Sequence, residues 1–135
     1  MNKLKKRRKG FTLIEMVVVI AIVVIIAAIA IPQALKAINK SKASTDVANA
    51  RTYAGELMSK VANGEIPFPT TTPGADTDVP NAATPKLKGE KFQYQFDKEN
   101  GNEIVKIKVT KADSAGAGTV VIYPTAASPW SDYVK

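Results

Sequence analysis

The apolar run Met16 to Ile31, entered through Phe11-Thr12-Leu13-Ile14-Glu15, constrains this chain more than any other stretch. Residues 11–31 are apolar apart from Thr12 and Glu15. At helical rise they span ~31 Å, about the thickness of a bilayer core. In lipid every backbone polar group must find an internal partner, so the run is expected as a helix despite its many Ile and Val residues. A carboxylate at its head is costly, on the order of 3 kcal/mol at mid-bilayer and less near the interface, so Glu15 needs a reason.

The basic residues sit where they orient such a span. Six of the 19 precede Phe11 (Lys3, Lys5, Lys6, Arg7, Arg8 and Lys9), and all 12 acidic residues follow Gly10. Thirteen basic residues then face 12 acidic ones, so the excess positive charge belongs to the leader and argues for no nucleic-acid surface. Placed directly before the apolar run, the leader is expected to stay on the cytoplasmic side. The chain has no Cys and no His, which excludes disulfides, thiolate or imidazole metal sites, and Cys- or His-dependent catalysis.

Pro32 removes one intrahelical donor and predicts a kink or a locally loosened helix. Helical pattern resumes over 34–63. Leu35 and Ile38 form one apolar pair, and Val47, Ala50, Ala54, Leu57 and Val61 recur at spacings of three and four beside Met58. Ser41 to Asp46 reads as the weakest part of this helix, Gly55 as a second soft spot, and Asn63-Gly64 as its end. Prolines at 67, 69, 73, 80 and 85 make residues 65–90 a loop. Strands are expected near 91–96, 104–110 and 119–123, with Phe92, Tyr94 and Phe96 on one face and Val105, Ile107 and Val109 on another. Asn100-Gly101 is a turn signal, and a further loop is expected at Ala115-Gly116-Ala117-Gly118. The fold class is therefore α+β: a long N-terminal helix whose second half packs on a C-terminal three-stranded antiparallel sheet. Asp76, Asp78, Asp97, Glu99 and Glu103 read as solvated charge. No spaced constellation points to an enzyme, a cofactor or a metal.

Three fates of the N-terminus are compatible with the residues. Ala28-Ile29-Ala30 offers an A-x-A signal for ordinary secretion with cleavage before Ile31. An uncleaved signal anchor is the second. The third rests on resemblance. Lys9-Gly10-Phe11-Thr12-Leu13-Ile14-Glu15, the basic leader, some twenty apolar residues and Pro32 resemble the prepilin signature of type IV pilins and of the pseudopilins of secretion systems. The signature covers residues 1 to about 33, and beyond it the likeness is architectural.

The resemblance implies a division of the chain into a cleaved leader (1–10), a transmembrane and filament-core helix (11–33) and a globular pilin domain (34–135). It implies cleavage between Gly10 and Phe11 by a prepilin peptidase, N-methylation of Phe11, and pairing of Glu15 with the Phe11 amino group of a neighbouring subunit. Small residues Ala21, Ala27, Ala28 and Ala30 would let core helices approach closely. The implied partners are the peptidase/methyltransferase, other copies of the chain, minor pilins, the inner-membrane assembly platform with its ATPase, and the bilayer before assembly. The implied function is that of a structural subunit of a surface filament for adhesion, motility or DNA uptake. A pseudopilin of a type II secretion or competence apparatus and a membrane-anchored or secreted binding domain are the alternatives. The implied location is the cytoplasmic membrane, N-terminus inside, and then the extracellular pilus. Many relatives close a C-terminal loop with a disulfide. This chain has no Cys, so packing must hold that region, with Trp130 and Tyr133 as the candidates. A second helix proline of those relatives is also absent, Thr52 standing where it is expected.

Overall fold

The computed structural model describes residues 10–87, 89–111, 118–127 and 130–133. The charged leader residues 1–9, most of the loop expected at 115–118, and Ser128, Pro129, Val134 and Lys135 lie outside them. One helix, α1, covers Leu13–Ala62 with Pro32 inside it. The chain forms two compact units that divide after Ala37.

In the first unit no residue of the apolar run is buried. Every large apolar side chain from Phe11 to Ile31 is between 47% and 82% exposed. This helix is long and apolar enough to cross a membrane.

The second unit begins at Ile38. Its helical part buries Ala43, Asp46, Val47, Ala50, Ala54 and Leu57. The small alanines at three of these positions allow close packing against the sheet. Val61 and Met58 are half-buried against the same core. Leu35 and Ile38, expected as an apolar pair, are about half exposed and take no part in it. The helix ends in a Schellman arrangement: Glu65 N donates to Lys60 O and Gly64 N to Val61 O, with Gly64 at φ 75°.

The sheet has four antiparallel strands in the order β1-β2-β3-β4, not three. They are β1 (Thr77–Asp78), β2 (Phe92–Glu99), β3 (Asn102–Lys111) and β4 (Gly118–Tyr123). The added strand β1 lies within the segment expected to be a loop and pairs Thr77 with Tyr94 and Asp78 with Gln93. Prolines at 73 and 80 bracket it and confine it to a short edge strand. β2 and β3 run further into their hairpin than periodicity indicates. Lys98 pairs with Glu103 and Glu99 with Asn102, which leaves Asn100 and Gly101 as the two-residue turn. Both have positive φ, 54° and 84°, as a type I′ hairpin requires.

Inward-facing Phe92, Phe96, Val105, Ile107, Val109 and Ile122 build one core with the helix. The opposite face is polar and cross-tied. Lys91, Lys106 and Lys108 pair with Asp78, Asp97 and Asp76. These three aspartates are therefore ion-paired rather than simply solvated. Hydrogen bonds from the Lys106 ammonium and the Lys98 N–H hold the Asp97 carboxyl below its ordinary range. Such a group contributes stability above the unfolded carboxylate range, about pH 4, and loses it as pH falls through its lower folded value. The difference in melting temperature between wild type and Asp97→Asn is expected to shrink steadily below about pH 4. A difference that stays constant down to pH 2 would show that the pair does not couple to folding.

One glycine is fixed by its surroundings. Gly89 has φ +114°, and a Cβ there would overlap Val109 Cγ1 and lie 2.8 Å from Thr110 O. The neighbouring Glu90 N donates to Thr110 O, which locks the backbone against β3. Gly89→Ala is expected to destabilise the second unit by about 3 kcal/mol or more, read as a loss of urea midpoint, because both the backbone angle and the contact must give.

Candidate processing and assembly site

The sequence places its candidate residues at the start of α1, and local geometry explains how they are arranged. Gly10 and Phe11 precede the helix and are exposed, and nothing lies within 4 Å of a Cβ built on Gly10. No described residue therefore crowds the backbone at Gly10. Thr12 is the helix N-cap. Its hydroxyl accepts from Glu15 N at 3.3 Å, while Glu15 Oε2 accepts from Thr12 N at 2.7 Å and from the Thr12 hydroxyl at 2.9 Å. This is a capping box, in which the residue at the third helical position reaches back to the cap.

The cost of a carboxylate at the head of the apolar run is therefore partly met within the chain itself. Glu15 is half satisfied: both accepted bonds go to Oε2, and Oε1 has no partner among the described residues. The carboxylate is also held within one turn of the first residues of the helix, where the orphan N–H groups favour negative charge. Phe11, Ile14, Glu15, Val18 and Val19 together line an open hollow of about 390 Å³, apolar except for that carboxylate. Pro32 lies 17 residues further on, exposed, with helix on both sides. It makes no contribution to the hollow.

Sequence reasoning missed a second constellation, within the unit that begins at Ile38. Asp46 is fully buried. Its Oδ1 accepts from Lys86 N at 2.6 Å, and its Oδ2 accepts from Leu87 N and from Trp130 Nε1, both at 2.9 Å. The stretch read as the weakest part of the helix thus carries the tie between the helix, the long connection and the short 3-10 helix Trp130–Asp132. Trp130 is fully buried and Tyr133 half-buried beside it, so the two aromatics do pin the C-terminal segment. Among the described residues no group of three acidic, Cys or His side chains is placed to hold a metal ion.

Comparison with known proteins finds two likenesses in sequence. Residues 5–31 match the family described as the prokaryotic N-terminal methylation motif. Over 121 residues, 87% of this chain and 75% of the relative, the sequence is 29% identical to the type IV major fimbrial protein FimA of Dichelobacter nodosus. No solved structure matches significantly.

Proposed function

We propose that this chain, which belongs to the type IV pilin family, is made as a membrane-anchored precursor and becomes a structural subunit of a surface filament. The family's role is structural rather than enzymatic. In this reading the leader holds the N-terminus in the cytoplasm, and a prepilin peptidase cuts between Gly10 and Phe11. The exposed, unobstructed glycine supports that cut. Phe11 then carries a new amino group, which is methylated.

The observation that carries the reading is the pairing of a methylation motif with an apolar run, residues 11–31, whose large side chains are uncovered and whose one acid, Glu15, has an oxygen with no partner among the described residues. Uncovered apolar surface on this scale calls for lipid or for neighbouring helices. Lipid serves the precursor, and other copies of residues 11–33 serve the filament. Glu15 Oε1 would accept the Phe11 ammonium of a neighbour, and Pro32 would mark where the helix can loosen on packing. The likeness to a major fimbrial protein favours a pilin over a pseudopilin.

Mass spectrometry of the protein from producing cells tests the processing step. The expected N-terminus is N-methylated Phe11. An N-terminal Ile31 would establish ordinary secretion instead, and an intact Met1 would establish an uncut anchor.

A further inference from the structure

The second unit carries a groove that the assembly chemistry leaves unused. It lies where Tyr53, Glu56 and Lys60 of α1 meet Tyr94 of β2 and the turn at 79–82, and it encloses about 340 Å³. That is the size of a small-ligand cleft. Its floor is apolar, with Leu57 and Val79 both buried.

Two tyrosines line it, and both are fixed before any ligand arrives. The Tyr53 ring stands edge-on to Phe92 at 5.3 Å, and its hydroxyl accepts from Ala83 N at 3.0 Å. The Tyr94 ring stands edge-on to Phe96 at 5.4 Å. Rings already held by packing lose little freedom on binding.

The rim is polar and uncommitted. Glu56, Lys60 and Asn81 are exposed, and none of their side chains has a hydrogen bond or ion pair with a described residue. Glu56 and Lys60 stand one helical turn apart without pairing to each other. Asn81 is held at φ 55° within its turn.

These groups define a ligand chemistry. One carboxylate and one ammonium cancel, so a phosphate or another strong anion finds no net attraction. A carboxylate acceptor, an ammonium donor and an amide that does both suit a ring of hydroxyl groups. Tyrosine walls suit the flat C–H face of such a ring. We propose that this groove binds a neutral saccharide, with a pyranose ring against the tyrosine walls and its hydroxyls on Glu56, Lys60 and Asn81. The filament subunit would then carry its own carbohydrate-recognition site on the unit that begins at Ile38.

Saturation-transfer NMR on the full chain in lauryldimethylamine oxide, a sugar-free detergent, tests this. The probes are methyl β-galactopyranoside, methyl β-glucopyranoside and methyl N-acetyl-β-glucosaminide, with glycylglycine amide as a peptide probe. Saturation is expected to reach the ring C–H protons of at least one glycoside. In Glu56→Gln/Asn81→Gly, binding is expected to weaken roughly tenfold or more. Glycine accepts positive φ, and Glu56 is exposed, so the variant is expected to fold, which its melting curve checks. Glu103→Gln, remote from this groove, is expected to leave the signals unchanged. Transfer to none of the glycosides, transfer to the peptide probe alone, or glycoside signals unaltered in the folded double variant would each overturn the proposal.

Discussion

Asp46→Ala is expected to destabilise the second unit by about 3–5 kcal/mol, because it strands three donors at once. The N–H groups of Lys86 and Leu87 and the indole N–H of Trp130 all end on this carboxylate. Each unsatisfied buried donor costs about 1–3 kcal/mol. For a small domain that is a large part of a total near 5–15 kcal/mol. Asp46→Asn separates the contributions. Its oxygen can still accept, but its amide nitrogen would meet a donor, so an intermediate loss is expected. Trp130 is the sole tryptophan, so its fluorescence reads the tie directly. Urea unfolding followed at that residue is expected to show a lower midpoint for both variants, with the alanine lower. An unchanged midpoint in Asp46→Ala would mean that water or repacking replaces the carboxylate.

This tie does for the C-terminal segment what a covalent bridge does in proteins with paired cysteines. It differs in kind, because it acts on the folded state and leaves the unfolded chain unconstrained. Its three partners come from two distant segments, 40 and 84 residues along the chain. No local pattern announces it. Read alone, Ser-Lys-Ala-Ser-Thr-Asp is a polar, weakly helical stretch, and only the tertiary fold turns its last residue inward.

The same distinction separates what was legible elsewhere. The faces of β2 and β3, the Asn100-Gly101 turn and the Gly64 cap follow from alternation and backbone chemistry within a few residues. Strand β1 does not, because two residues between prolines become a strand only when β2 supplies the partner. The steric need for Gly89 also lies about twenty residues away, at Val109 and Thr110. At the N-terminus the reverse holds. Thr12-Leu13-Ile14-Glu15 is a local capping-box pattern, and an argument from charge alone passes over it. The groove beside Tyr53 and Tyr94 joins a helix face to a turn and a strand, so sequence order conceals it.

The capping box sharpens the test of Glu15. Glu15→Ala removes both the cap and the charge, so failure to assemble would not tell which mattered. Glu15→Gln keeps a side chain that can close the box and removes only the charge. Thr12→Ala opens the box and leaves the charge. If Glu15 receives the neighbouring amino group, both Glu15 variants are expected to insert and be cut normally yet yield few filaments. Thr12→Ala is expected to assemble. A charge-assisted hydrogen bond contributes about 1.5–3 kcal/mol, so each subunit addition should weaken by roughly tenfold to a hundredfold. Filament mass sheared from cells, compared with processed subunit remaining in the membrane, measures this ratio. Normal filament yield from Glu15→Gln would show that capping, not charge, is what assembly requires of this residue. Loss of filaments in Thr12→Ala together with normal yield from Glu15→Gln would move the assembly determinant to the helix start itself.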